Sequence, residues 1–112
     1  MWLATQLGFF SIVRKPSGQF HVRTRCKKDL ENLLALTGLT ARMHHSKDGD
    51  YAWRFVVEHD DVNAIMASLA TTIDYPNFKS RIHELPDQKG KLPAYSRLWM
   101  QMLSYQSSEE NK

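Results

Sequence analysis

The chain has 112 residues, 42% of them hydrophobic, with three Trp, four Tyr and five Phe, which is enough apolar material for a packed core and excludes a disordered polymer. Its formal net charge is +3, but residues 1–28 hold six Lys or Arg and no acid, while the remainder carries nine basic against twelve acidic residues. An anionic partner is therefore a question for the N-terminal quarter. The single Cys26 excludes an internal disulfide and suits a reducing compartment, and no run of eighteen apolar residues exists to cross a membrane.

Met1 to Phe10 lacks a basic leader and is interrupted by Thr5, Gln6 and Gly8, so it reads as a strand and a cytoplasmic location is expected. Trp2 to Lys15 is predicted as one extended strand with a bulge or bend at Gly8. Pro16-Ser17-Gly18 then predicts a three-residue hairpin loop, with Gly18 in the left-handed position. That turn sets a register in which Arg14 opposes Phe20, Ile12 opposes Val22 and Phe10 opposes Thr24 on one apolar face. Phe9, Ser11, Val13, His21, Arg23 and Arg25 fall on the other.

Leu30, Leu33 and Leu34 recur at helical spacing, predicting a helix over 27–37 closed by Gly38. Asp29 and Glu31 suit the positive end of its dipole. Leu39 to His45 and Tyr51 to Glu58 read as a second hairpin around Asp48-Gly49, with Trp53, Phe55 and Val57 facing the core. Asp60 is the expected N-cap of a helix whose stripe is Val62, Ile65, Met66, Leu69, Ala70 and Ile73. Pro76 breaks that helix. Phe78 to Leu85 fits either a helical turn or a further strand, and Pro86 to Pro93 reads as a loop. A last helix over 94–105 carries Tyr95, Leu98, Trp99, Met102 and Leu103 on its apolar side.

This order predicts an α+β domain over 1–106, followed by a frayed tail at 107–112. Its four-stranded antiparallel sheet, in a ββαββα order, has helices on one face and a C-terminal helix. A ferredoxin-like arrangement is the main variant, and it requires Phe78 to Leu85 to be the final strand.

Met1-Trp2-Leu3-Ala4-Thr5, Gly8-Phe9-Phe10-Ser11-Ile12-Val13, Asp50-Tyr51-Ala52-Trp53-Arg54, Asp74-Tyr75-Pro76-Asn77-Phe78-Lys79, and Tyr95 with Trp99 together resemble a family of small uncharacterised bacterial proteins. The resemblance spans almost the whole chain. It implies a bacterial, cytoplasmic, stand-alone domain and assigns no activity, cofactor or site residue.

The chemical motifs are weak. His44 and His45 are adjacent on a strand and point to opposite faces, and no Cys-x-x-Cys or His-x-x-x-His spacing is present, so no metal or other cofactor is expected. His59-Asp60-Asp61 is better read as helix-capping chemistry than as a hydrolase motif. Cys26 lies beside Lys27 and Lys28 but has no resolving partner. Asp48-Gly49-Asp50 lacks the spacing of a calcium loop. Nothing argues for an enzyme.

The remaining feature is the sheet face that bears Phe9, Val13, His21, Arg23 and Arg25, beside Arg42, His44, Arg54 and Val56 of the second hairpin. Cations among apolar groups suit either of two partners. The preferred expectation is a non-enzymatic module that binds another protein or itself, as a homodimer, through this face or the terminal helix. The alternative is single-stranded nucleic acid, with phosphates on the cations and bases stacked on the aromatics.

Overall fold

A computed structural model describes residues 1–112, whose contacts fall into two units, 1–75 and 76–112. In the first, strand β1 (Trp2–Thr5) and strand β2 (Gly8–Arg14) pair antiparallel, from Trp2 opposite Ser11 to Thr5 opposite Gly8. The single strand expected over 2–15 is therefore a hairpin. The Thr5 hydroxyl accepts from the Leu7 and Gly8 N–H groups at 3.1 and 3.2 Å and donates to the Gly8 carbonyl at 2.9 Å, a local bonding pattern that competes with extended structure. The turn is also held from below by helix α1 (Lys27–Thr37), where Asp29 Oδ2 accepts from the Phe9 N–H and the Asn32 amide donates to the Leu7 carbonyl.

Strand β3 (Phe20–Thr24) pairs with β2 in the predicted register, Ile12 opposite Val22 and Arg14 opposite Phe20. Gly18 takes φ +91°, and its N–H donates to the Lys15 carbonyl at 2.8 Å to close the loop. Helix α1 has its predicted bounds and ends at Gly38, whose φ of 72° lets its N–H reach the Leu34 carbonyl.

The second hairpin is shorter than expected. Strand β4 is only His44–His45 and strand β5 is Trp53–Val57. Residues 39–43 alternate as a strand does, with Leu39, Ala41 and Met43 half-buried against the core and Thr40 and Arg42 exposed, but they join no ladder. The alternation is one of side-chain burial only, without backbone pairing.

Helix α2 (His59–Thr71) begins two residues earlier than Asp60 as N-cap would set it. Glu58 occupies the N-cap and its N–H donates to Asp61 Oδ2 at 3.1 Å, so Asp60 is an exposed first-turn residue and Asp61 provides the capping carboxylate. The helix stops at Thr71, which leaves Ile73 67% exposed rather than on the buried stripe.

The result is a five-stranded antiparallel sheet, ordered β1-β2-β3-β5-β4, where four strands were expected. Phe10, Ile12, Val22, Phe55 and Val57 form the buried face of the sheet. Leu30 and Leu33 of α1 and Val62, Ile65 and Leu69 of α2 cover it, with Trp53 partly buried at the margin.

The second unit consists of helix α3 (Phe78–Glu84), a 3-10 turn at Lys89–Lys91 and helix α4 (Leu92–Glu110). Asn77 Oδ1 accepts from the Ser80 N–H at 2.9 Å, a side-chain cap that decides for helix over strand at 78–84 and removes the ferredoxin-like variant. Pro93 in the first turn of α4 suits helix initiation, so the helix begins two residues before Ala94. It continues to Glu110, through most of the stretch expected to fray.

Candidate functional site

Two surfaces come from the sequence expectation: the sheet face opposite α1 and α2, and the apolar side of α4. On the sheet, pairing aligns Trp2, Ser11, Arg23, Arg54 and His44 in one row across all five strands. Val13, His21 and Val56 form the next row. Phe9 lies on the same face and meets Trp2 with ring centroids 6.0 Å apart. The structure thus brings together Phe9, Val13, His21, Arg23 and Arg54, as alternation along the strands predicts. Arg25 follows just beyond β3. Arg42 is not brought in, because it sits on the unpaired 39–43 segment and is exposed.

Arg23 is a fixed group rather than a free cation. Its Nη2 donates to the Ser11 hydroxyl at 2.7 Å, and its guanidinium lies 4.5 Å from the centroid of the Tyr51 ring. Arg25 approaches the same ring at 4.4 Å and donates to the Asp50 carbonyl. Tyr51, 4% exposed, is thereby held by two guanidinium groups. The Arg23 Nε is buried without a hydrogen-bond partner, so this guanidinium keeps donor capacity its surroundings do not use. The sequence reading made Tyr51 merely the start of a strand; an aromatic residue following a loop is too common a pattern to reveal this role.

Arg54 Nη1 donates to His21 Nδ1 at 3.1 Å. A guanidinium has no acceptor, so His21 must accept through an unprotonated Nδ1 and carry its proton on Nε2. Partial burial, reinforced by the positive charges of Arg54, Lys15, Arg23 and His44, lowers the His21 pKa below the ordinary imidazole value. The face therefore presents three guanidinium groups whose partners are a hydroxyl, a carbonyl, an aromatic ring and a neutral imidazole.

The groups with potential chemistry elsewhere are dispersed. His45 faces away from this row and stacks on Trp53 at 4.2 Å, with Lys27 Nζ 5.3 Å from the same ring. Cys26 is exposed at the N-cap of α1, and the His59 ring contacts Phe20. No three His, Cys, Asp or Glu side chains converge.

In the second unit, α3 covers the start of the α4 stripe. Phe78 and Tyr95 meet edge-on at 5.1 Å, and Lys79 Nζ lies 4.8 Å from the Trp99 ring centroid. Tyr95 is the one buried residue of α4. Beyond it the stripe is bare: Trp99 is 56% exposed, Met102 64%, Leu103 45% and Tyr105 58%. Leu98, on the same side of the helix, is 41% exposed.

No helix is long and apolar enough to cross a membrane. No family model, curated protein or solved structure matches the chain.

Proposed function

We propose that this chain is a small, non-enzymatic, bacterial cytoplasmic module that acts by binding a protein through the apolar side of α4. The observation that carries the reading is the length of bare stripe beyond Tyr95. Trp99, Met102 and Leu103 recur at helical spacing on a 19-residue helix and stay about half exposed or more. Contiguous apolar surface of this kind is costly in water, and Trp and Met are characteristic of interface cores. A photo-crosslinking amino acid at position 102 of the full chain, produced in cells, should give an adduct of defined mass. The same probe at Arg97, on the opposite side of α4, should give none. Equal labelling from both positions, or none from either, would overturn the reading.

A second reading, single-stranded nucleic acid on the sheet face, is favoured by the guanidinium groups of Arg23, Arg25 and Arg54, which face uncharged partners, and by the exposed Trp2 beside Phe9. Cations that keep their charge unneutralised can take phosphates, and adjacent aromatic rings can take bases. Binding of short oligonucleotides that weakens steeply with added salt is its test.

A further inference from the structure

We infer that the occupant of the α4 stripe is a second copy of this chain, its α4 lying antiparallel and crossing near Met102. This rests on the reading of α4 as a protein contact and names the partner. Two features of the second unit support it.

The first is steric. Tyr95, Trp99, Met102 and Gln106 lie within a narrow sector of the helix, given about 100° per residue. Helix α3 occupies the N-terminal end of that sector, through Phe78 on Tyr95 and Lys79 over Trp99. Two copies packed parallel along the stripe would bring both α3 helices to the same end, where they compete for one space. Packed antiparallel, each α3 stands at opposite ends and the bare turns from Trp99 to Gln106 meet each other. The arrangement is isologous and closes as a dimer.

The second is charge. Residues 76–97 hold Lys79, Arg81, Lys89, Lys91 and Arg97 against Glu84 and Asp87, whereas residues 98–112 hold Glu109 and Glu110 against Lys112. An antiparallel pair sets the acidic last turn of one copy against the Lys79 end of the other, and a parallel pair sets like against like. Glu109 already bonds Lys112 at 2.7 Å, but this ion pair is exposed and readily exchanged. The antiparallel helix dipoles act in the same sense.

The test uses the full chain. Sedimentation should give twice the 13.0 kDa monomer mass at micromolar concentration, and Met102→Glu should weaken self-association at least about tenfold, as loss of a central apolar contact does. Its melting temperature after correction for dimer dissociation should be unchanged, because Met102 is exposed within the copy. In a Cys26→Ser background, Met102→Cys should oxidise to a covalent dimer. Gln106→Cys should not, because the two copies of that residue would stand about 12 Å apart along the axis at 1.5 Å per residue. Disulfide formation at position 106 would mean parallel packing and overturn the inference. A monomer at all concentrations, with a crosslinked adduct at position 102 of some mass other than the dimer, would overturn the second copy while α4 stands as the contact. A dimer that Met102→Glu leaves intact would overturn both.

Discussion

The side chain of Asp29 occupies the space where a Cβ on Gly8 would stand: an added methyl would meet both the Cβ and the Cγ of Asp29. Gly8 has no positive φ, so contact and not backbone conformation requires glycine there. The Asp29 carboxylate is buried, and its Oδ2 accepts from the Phe9 N–H at 3.1 Å, which joins the first turn of α1 to the start of β2. Gly8→Ala should therefore destabilise by about 2 kcal/mol or more through overpacking. Asp29→Ala should cost about 1–3 kcal/mol, because the Phe9 N–H loses a buried acceptor. Asp29→Ala should not rescue Gly8→Ala, since the Asp29 Cβ is itself in the way. Chemical denaturation of the three variants measures this, and recovery of the wild-type midpoint in the double variant would refute the contact.

Tyr51 should be nearly insensitive to the loss of its hydroxyl and sensitive to the loss of its ring. Tyr51→Phe keeps both guanidinium contacts, whereas Tyr51→Ala removes a buried aromatic and should cost about 3 kcal/mol. Equal melting temperatures for the two variants would show that the ring does not organise Arg23 and Arg25.

His21 predicts a pH dependence of stability. Its folded pKa lies below the ordinary imidazole value of 6.5 because of partial burial and the surrounding positive charges. The unfolded chain then binds more protons between the two values, so the contribution of this residue is complete above about pH 6.5 and is lost as pH falls towards the folded pKa. The His21 ring resonances should titrate below those of an unfolded peptide and move upward in Arg54→Ala. A midpoint at or above the peptide value would contradict the geometry.

The nucleic-acid reading calls for substitutions that spare the scaffold. Arg23 is tied to Ser11 and Tyr51, so its replacement would confound binding with folding. Arg54→Ala and Arg42→Ala are cleaner. If oligonucleotides bind here, Arg54→Ala should lower affinity for every sequence and reduce the salt slope by about one unit, and Arg42→Ala should have little effect because Arg42 lies outside the sheet. Fluorescence anisotropy across a salt series reads both, and equal effects would place the contact elsewhere.

Much of the first unit was legible because local chemistry fixes it. Pro16 and Gly18 determine one turn and its register, but a bulge at Gly8 would exchange Phe9 and Phe10 between the faces, and it is the assembled sheet that buries Phe10. The spacing of Leu30 and Leu33 followed by Gly38 determines α1, and alternation from Trp53 to Val57 determines the inward face of β5. The same alternation placed Phe9, Val13, His21, Arg23 and Arg54 together. What the sequence by itself could not decide required partners distant in the chain. Gly8 signals an interruption in either a bulge or a hairpin, and the docking of the turn onto Asp29 and Asn32, added to the local Thr5 bonds, selects the hairpin and so adds a fifth strand. Residues 39–43 carry a strand pattern, but a ladder needs a neighbour in reach, and none pairs with them. Tyr51 gains its place from Arg23 and Arg25, which meet it only once two hairpins are assembled side by side. An apolar stripe on α4 is written in the sequence; whether the chain covers it is a tertiary fact, and α3 reaches only its first two turns because its own cap at Asn77 and its short length end it there.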